Sequence, residues 1–369
     1  MNKIGLSASI VIALTATSVS AANYSVDGRG DAMGGTGVVS ADFLTAPFYN
    51  PALAALYRRN DNAGMILPGI GLTYTDQGDM VKTIGEAADV GSDPVKAQEV
   101  LDKLDKGELS FDIGAVAAFA IPNSFVSMNV FGKAYTESYV TANIATGGTP
   151  DLDLANSNTQ ILSAGITELG MTFAKYYTVF GQHMSFGVSP KIQRVYTLLD
   201  QKSFDDFNFS SIFDSLSGET SFNMDAGAVW FYGPYRVGFS AMNIMSREIE
   251  TNTIGTSSYK YQLTPNYTIG AGLVGDYFAL SVDYDLVERE KFVGVNDNEQ
   301  MLRVGIEGDI MRQMQLRAGY YTNLARADDD GTITAGIGLS PLNIITLDIG
   351  ASYTNKDSMG VYINFLSNY

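Results

Sequence analysis

The chain has 369 residues, with 23 basic and 40 acidic side chains, one histidine and no cysteine. Without cysteine there is no disulfide framework, no thiolate metal site and no cysteine nucleophile. The net charge of −17 argues against a nucleic-acid partner, because phosphate binding needs clustered basic side chains. Charged residues are only 17% of the chain, while Tyr and Phe number 21 and 19. This composition is typical of strands that alternate between lipid and water.

The first 21 residues predict an export signal. Lys3 is followed by a largely apolar stretch from Ile4 to Leu14 and then by small residues up to Ala22. That order matches a secretory signal peptide over residues 1–21, with cleavage expected after Ala21. The alternative, a membrane anchor, is disfavoured because the apolar stretch is about half the ~20 residues needed to span. An exported chain without spanning helices can cross a membrane only as a closed barrel.

Period-two alternation recurs through residues 61–369. For example, the apolar Leu302 and Val304 alternate with Arg303 and Gly305, as expected for a strand with two different faces. Fourteen strands are predicted, near 62–75, 108–121, 124–138, 160–177, 180–199, 219–231, 235–246, 261–274, 277–288, 300–309, 312–322, 331–339, 343–354 and 359–369.

The predicted connections alternate in length. Those after even-numbered strands are short turns, whereas those after odd-numbered strands are longer: 76–107, 139–159, 200–218, 247–260, 289–299, 323–330 and 355–358. A soluble β-sandwich has no reason to sort its loops in this way. We therefore predict an all-β fold, a transmembrane antiparallel β-barrel of about 14 strands over residues 61–369. The predicted location is the bacterial outer membrane, where a monomer contacts lipid and lipopolysaccharide.

Residues 22–60 show no such alternation and contain the run Gly-Arg-Gly-Asp-Ala-Met-Gly-Gly-Thr-Gly-Val and the box Phe-Tyr-Asn-Pro-Ala-Leu. Both motifs resemble the amino-terminal hatch of the FadL-type family, outer-membrane channels for long-chain fatty acids and aromatic hydrocarbons, and most closely its TraF-like branch. The resemblance implies a hatch inside a fourteen-stranded barrel, with these hatch residues: Gly34, Gly35, Gly37, Asn50, Pro51 and Ala52. A fixed plug and a hatch that moves during transport both remain open.

The outer loops 76–107 and 200–218 are predicted to contain helices. In the first, Asp93 is expected to cap a helix that starts at Pro94. The second is rich in phenylalanine, with Phe204, Phe207, Phe209 and Phe213. The resemblance implies that such a loop captures an apolar ligand. The alternative is that the helices of the two loops simply pack against each other.

The period-two pattern predicts a polar lumen. Its inward-facing charged side chains are expected to be Asp225, Asp283, Asp285, Arg303, Glu307, Arg317 and Asp348. Charges on an inner wall indicate either water or salt bridges to a polar hatch, not an oily tunnel.

The two faces of each strand are expected to tolerate substitution differently. Val304→Arg and Leu347→Arg place a charge in the lipid and are expected to cost about 2–4 kcal/mol near the bilayer midplane. The inward changes Gly305→Ala and Ser281→Ala are expected to cost much less. Pro68 and Pro190 fall inside predicted strands, where each removes a ladder donor. Each therefore predicts a bulge in the wall, which is either a lateral exit or, as the favoured alternative, without a role in transport.

Nothing in the sequence predicts an enzyme. His183 lies beside a predicted short turn without a serine elbow or an acidic partner, and no cofactor is expected. Three functions remain: a passive uptake channel for small hydrophobic compounds, a polar-solute porin, and a non-transporting component of a surface or conjugation-related assembly. The resemblance favours the first, and the charged inner wall favours the other two.

Overall fold

The computed structural model describes residues 27–56, 63–91, 93–121, 123, 125–206, 217–255, 257–295, 297–326, 329–341 and 345–368. Within them, fourteen strands close into one antiparallel barrel in which the first barrel strand pairs with the last. The barrel strands are β1 (Gly64–Gln77), β2 (Glu108–Ile121), β3 (Ser127–Asn143), β4 (Asn158–Val179), β5 (Gln182–Lys202), β6 (Ser217–Tyr232), β7 (Tyr235–Met242), β10 (Asn266–Val274), β11 (Phe278–Asp285), β12 (Met301–Ile310), β13 (Met314–Asn323), β14 (Thr332–Leu339), β15 (Ile345–Asn355) and β16 (Ser358–Asn368). The predicted fold class is confirmed.

The remaining two strands, β8 (Arg247–Glu250) and β9 (Lys260–Leu263), form a separate hairpin. The helices are α1 (Gly28–Ala32), α2 (Ala46–Tyr49), α3 (Met80–Asp89), α4 (Pro94–Leu104) and α5 (Pro150–Asn156), with 3₁₀ turns at Pro51–Ala55 and Phe204–Asp206. No helix in the described ranges is long and apolar enough to cross a membrane. The predicted signal peptide, 1–21, lies outside the described residues.

The barrel wall has an apolar outside and a polar inside. On β12, Ile306 points outward and is 43% exposed, whereas Arg303, three residues before it, is buried on the inner face. The same parity holds on β11, where Val282 is exposed and Asp283 is buried. Apolar side chains that would be costly in water are therefore placed where lipid covers them.

Two predicted connections differ from the structure. The connection at 355–358 is a turn of only two residues, because β15 and β16 remain paired up to Asn355 and Ser358. It is therefore as tight as the turns at the other end of the barrel. The connection at 247–260 is not irregular, because it contains β8 and leads into β9.

The wall is much taller on one side. β4 and β5 have 22 and 21 residues, whereas β7, β11 and β14 have 8 each. A spanning strand needs about 9–11 residues, so β4 and β5 extend past the bilayer at the end with the long connections, the outer end. There Ile161 packs outward under α3 and α4, and Leu162 packs inward against the β8–β9 hairpin.

Only one of the two predicted bulges is present. At Pro68 the register of β1 shifts between Ile66 and Gly69 against β2, with a matching shift against β16. At Pro190 the register of β4 and β5 is unchanged on both sides of the proline, and Pro190 pairs with Met224 of β6. The strand therefore accommodates the missing N–H of Pro190 without the extra residue that defines a bulge.

Candidate functional site in the barrel lumen

Residues 27–56, the N-terminal segment, lie against the inner faces of the strands. Hydroxyl groups of the wall donate to carbonyl oxygens of the segment: Ser185 to Ala52 at 2.6 Å, Ser240 to Tyr49 at 2.6 Å and Thr334 to Ala32 at 2.9 Å. These bonds come from strands on opposite sides of the barrel. The segment is therefore attached to the wall on several sides of the barrel. Its role as a hatch stays a prediction.

Glycines allow the close approach between segment and wall. Gly34 and Gly35 both have positive φ, 69° and 75°, where a β-carbon would be strained. A β-carbon at Gly34 would also lie 2.8 Å from the carbonyl oxygen of Val304. On the facing wall, a β-carbon at Gly305 or Gly319 would overlap the backbone of Met33. The predicted hatch residue Gly37 has the same role within the segment, because a β-carbon there would overlap the ring of Tyr49.

The Asn-Pro-Ala box joins two parts of the N-terminal segment. The Asn50 amide nitrogen donates to the carbonyl oxygen of Val38 at 2.9 Å, and its amide oxygen accepts from Ala52 N at 3.1 Å. Pro51 occupies the first position of the 3₁₀ turn, where its missing N–H costs nothing. A side chain at Gly227 of the wall would collide with Asn50. The box is thus a structural link that also contacts the barrel.

Charged side chains of the lumen form chains of ion pairs. Arg29 of the segment forms two hydrogen bonds with Glu307, at 2.8 and 2.9 Å, and Arg317 donates to both Glu307 and Asp348. Asp283 accepts from two backbone amides of the segment, at 2.7 and 2.9 Å. The structure places all seven predicted lumen residues inward, and the remaining pairs are Asp285–Arg303 and Asp225–Lys191.

Several lumen residues were missed by the sequence reasoning. Lys191 lies between Glu168 and Asp225, at 3.2 and 2.9 Å, and all three are buried. Both Lys191 and Glu168 follow the parity of their strands, so the period-two pattern could have found them. Arg29 had no such signal, because the N-terminal segment has no regular period.

The described residues of two outer connections, within 247–263 and 286–300, form a second layer above the N-terminal segment. We call this layer the outer plug. Tyr261 and Phe292 of this layer pack edge to face, with ring centroids 5.1 Å apart. Lys291 reaches Glu137 of the wall at 3.0 Å and Glu299 at 3.4 Å. Burial alone would lower the pKa of Lys291, but the two carboxylates hold it above its usual value.

Asp297 holds the tip of the outer plug. Its carboxylate accepts from the backbone amides of Lys291 and Phe292, at 3.1 and 2.8 Å. Burial outweighs these bonds and raises the pKa of Asp297 to about 7. Loss of its proton is therefore less favourable in the folded loop than in an unfolded chain.

The phenylalanines predicted to capture a ligand are only partly described. Phe204 is 9% exposed and belongs to the apolar cluster of α3 and α4, beside Met80 and Ile84. This position agrees with the alternative that the two loops pack against each other. Ligand capture by Phe204 stays a prediction. Phe207, Phe209 and Phe213 lie outside the described residues.

Cavities lie on both sides of the N-terminal segment. A cavity of about 80 Å³ separates it from the outer plug and is lined by Phe48, Tyr49, Lys133, Glu168 and Arg289. A larger cavity, about 580 Å³, opens at the inner end of the barrel beside Arg29, Asp42, Phe231, Arg236 and Phe278. Pockets that bind drug-sized ligands measure about 300–1,000 Å³, and of these two cavities the inner one falls in that range. Across the described part of the chain, no His, Cys, Asp or Glu group is arranged to hold a metal ion.

A family model described as "F plasmid transfer operon, TraF, protein" matches residues 47–285. The chain belongs to this TraF family. No curated protein sequence matches the chain.

Solved structures share the fold of this TraF-family barrel. The toluene transporter TbuX of Ralstonia pickettii has a TM-score of 0.61 at 12% identity, covering 92% of this chain and 97% of that one. The toluene transporter TodX of Pseudomonas putida has a TM-score of 0.52 at 10% identity, with 93% and 98% covered. A TodX monoaromatic hydrocarbon channel mutant, deltaS2S3, gives 0.60 at 11% identity, with 92% and 98% covered. The predicted FadL-type, TraF-like resemblance is confirmed.

Proposed function

We propose that the protein is an outer-membrane channel for passive uptake of small hydrophobic compounds of the aromatic hydrocarbon type. The observation that carries the proposal is the end-to-end match of a closed fourteen-stranded barrel to toluene transporters. An apolar outer surface, suited to lipid and lipopolysaccharide, supports the location. The protein acts as a monomer, and its role is passage, not catalysis.

In this proposal the N-terminal segment acts as a hatch that moves. The cavity above it is about 80 Å³, smaller than the 150 Å³ or so known to hold a benzene molecule. A hydrocarbon that passes from the outer to the inner cavity must therefore displace the segment or the outer plug. The half of the segment that contains Phe43, Phe48 and Leu53 packs by apolar contacts against Ile66 and Phe131, so an apolar ligand can replace those contacts.

A reversible lock tests this role. The chain has no cysteine, and the β-carbon of Ala32 lies 3.2 Å from the position of a β-carbon at Gly350. This separation is slightly below the range of about 3.5–4.5 Å in disulfides, so a small shift of the segment brings the two β-carbons to bonding geometry. We expect cells with the Ala32→Cys/Gly350→Cys variant to take up labelled toluene only after reduction. The single-cysteine variants are the matched controls and should respond to neither oxidant nor reductant. Uptake that is equal with and without the wild-type protein would reject the channel itself.

A second candidate is a non-transporting role in a surface or conjugation-related assembly. It is favoured by one observation: the N-terminal segment and the outer plug occupy the lumen one above the other. The same cells distinguish the candidates. Equal uptake without ionic conductance in planar bilayers supports the structural role, whereas equal uptake with steady conductance supports the polar porin.

A further inference from the structure

The hairpin of β4 and β5 extends past β3 at the inner end of the barrel. The last pair between β3 and β4 joins Ser127 to Ala174, whereas β4 stays paired with β5 as far as Val179 and Gln182. The stretch Lys175–Val179 therefore has β5 on one side. On its other side, no strand within the described ranges pairs with it. We call this stretch the inner edge.

Comparable edges at the outer end are closed by the chain itself. Where β5 continues beyond its pairing with β6, Leu199 N donates to the Asn252 side chain at 2.8 Å, and Leu199 O accepts from the same side-chain amide at 2.7 Å. Where β6 continues beyond β7, Met224 O accepts from Ile244 N at 3.0 Å. For the inner edge, the described residues supply no equivalent cap.

The inner edge is accessible and lies outside the hydrocarbon of the bilayer. Tyr176 and Tyr177 are 40% and 47% exposed, and the Lys175 ammonium lies 5.9 Å from the centre of the Tyr177 ring. Unpaired backbone groups are too costly in hydrocarbon, and aromatic and lysine side chains are typical of the interface. In the orientation proposed above, with long connections outside, this edge faces the periplasm.

We propose that the inner edge accepts an extended segment of a periplasmic polypeptide as an added strand beside β4. Such strand addition draws its affinity from main-chain hydrogen bonds and its specificity from alternate side chains. On the inward face, Tyr176 stacks with His183, whose ring also stacks on Phe231. The partner segment therefore places apolar side chains beside this stack and an acidic side chain near Lys175.

A second copy of this chain does not fit the inner edge. Two identical strands related by a two-fold axis pair antiparallel only when the axis is perpendicular to both strands. Copies in one membrane have the same inside-to-outside orientation, so their two-fold axis lies along the membrane normal and the tilted strands cross. The partner is a different chain.

Amide hydrogen exchange tests the proposal even while the partner is unidentified. We compare the protein in isolated native outer membranes that retain their periplasmic contacts with the purified protein in lipid nanodiscs. In the membranes, alternate amides of Lys175–Val179 should exchange about tenfold more slowly, as expected for one added hydrogen bond each. The turn at residues 275–277, at the same end of the barrel and without proline, is the control and should exchange equally in both. Equal exchange of the inner edge, or protection already present in the purified protein, overturns the proposal.

A pair of proline substitutions tests whether the protection comes from strand pairing. In an antiparallel ladder neighbouring residues direct their N–H groups to opposite sides, so one of Tyr176→Pro and Tyr177→Pro removes a donor to β5 and the other a donor at the inner edge. Proline is tolerated where the N–H faces outward. The tolerated variant should keep the folded barrel and lose the protection of the remaining edge amides in native membranes. Full protection in that variant overturns the proposal.

Discussion

The N-terminal segment contacts the wall closely at glycine residues. A β-carbon at Gly305 would occupy the space of the carbonyl oxygen of Met33 and lie 2.5 Å from Thr36 Oγ1. Gly308, on the same strand, has nothing within 4 Å of that position. The two glycines differ because Gly305 faces the lumen and Gly308 faces outward. The sequence predicted that the inward change Gly305→Ala costs little. The structure contradicts this prediction, because the N-terminal segment already occupies the space of the added methyl group.

We expect Gly305→Ala to lower the free energy of unfolding by about 1–3 kcal/mol, because the segment or the strand must shift. The matched control Gly308→Ala should change it by less than about 0.5 kcal/mol. Urea titrations of the protein folded into bilayers measure both. Equal effects of the two substitutions would show that the segment does not rest on β12 in the membrane.

Glu307 is the central anion of the lumen, since it accepts from Arg29 and Arg317. We expect Glu307→Gln to cost about 3 kcal/mol, because two largely buried guanidinium groups lose their shared carboxylate. The control Glu99→Gln removes one of two acidic partners of Lys103, at the surface, and should cost less than about 1 kcal/mol. The same titrations compare them, and a loss for Glu307→Gln no larger than the control would contradict the ion-pair chain.

The sequence was informative about which lumen residues face inward and uninformative about their partners. Period two alone places Asp283 and Glu307 on the inner face. Their partners in the N-terminal segment are 246 and 278 residues away in the chain. Contacts at that separation depend on how the barrel closes, which no local pattern encodes.

Among the elements, the outer plug is the one whose stability should depend on pH. The pKa of Asp297 is raised to about 7 in the folded loop, above the value near 4 in an unfolded chain. The folded loop therefore binds more protons between these values, and its stability falls as the pH rises from about 4 to about 7. Above about pH 7 the stability of the loop no longer decreases through this group.

We accordingly expect amide protection factors in 286–300 to be higher at pH 5 than at pH 7.5. Asp297→Asn should flatten this difference, because the side chain no longer titrates, although it also loses one of the two accepted bonds. Asp276, an exposed aspartate at the inner end of the barrel, is a suitable control when changed to Asn. If the pH dependence of protection is unchanged in Asp297→Asn, another titrating group causes it.

Local chemistry explains which elements were predictable. For α4, the sequence contains both its start, Asp93 and Pro94, and its buried face, Val100 and Leu101. The β8–β9 hairpin was missed because each strand has only four residues, too short for a period to be recognised. The tight turn at 356–357 was missed because its strands continue regularly to the tip.

For the whole molecule, strand number and direction followed from alternation and loop length, whereas the filling of the lumen did not. That filling leads to a prediction. With charged inner side chains engaged in pairs and two layers across the lumen, the wild-type protein should show no steady ionic conductance in planar bilayers. Removal of the β8–β9 hairpin should raise the frequency of brief openings, because only the 286–300 part of the outer plug then lies above the N-terminal segment. A steady ohmic conductance of the wild type would contradict this.

The bond between Gly28 N and Asn364 Oδ1, 2.6 Å long, joins residues 336 positions apart. It ties the first helix to the last strand, the same strand that closes the ring with β1. Ring closure and the seating of α1 are therefore coupled steps during assembly. Until β16 arrives, α1 lacks part of its binding surface and the lumen carboxylates remain hydrated. Contacts of such long sequence separation form slowly, so we expect the interior of this barrel to be completed at the end of folding, after most of its wall exists.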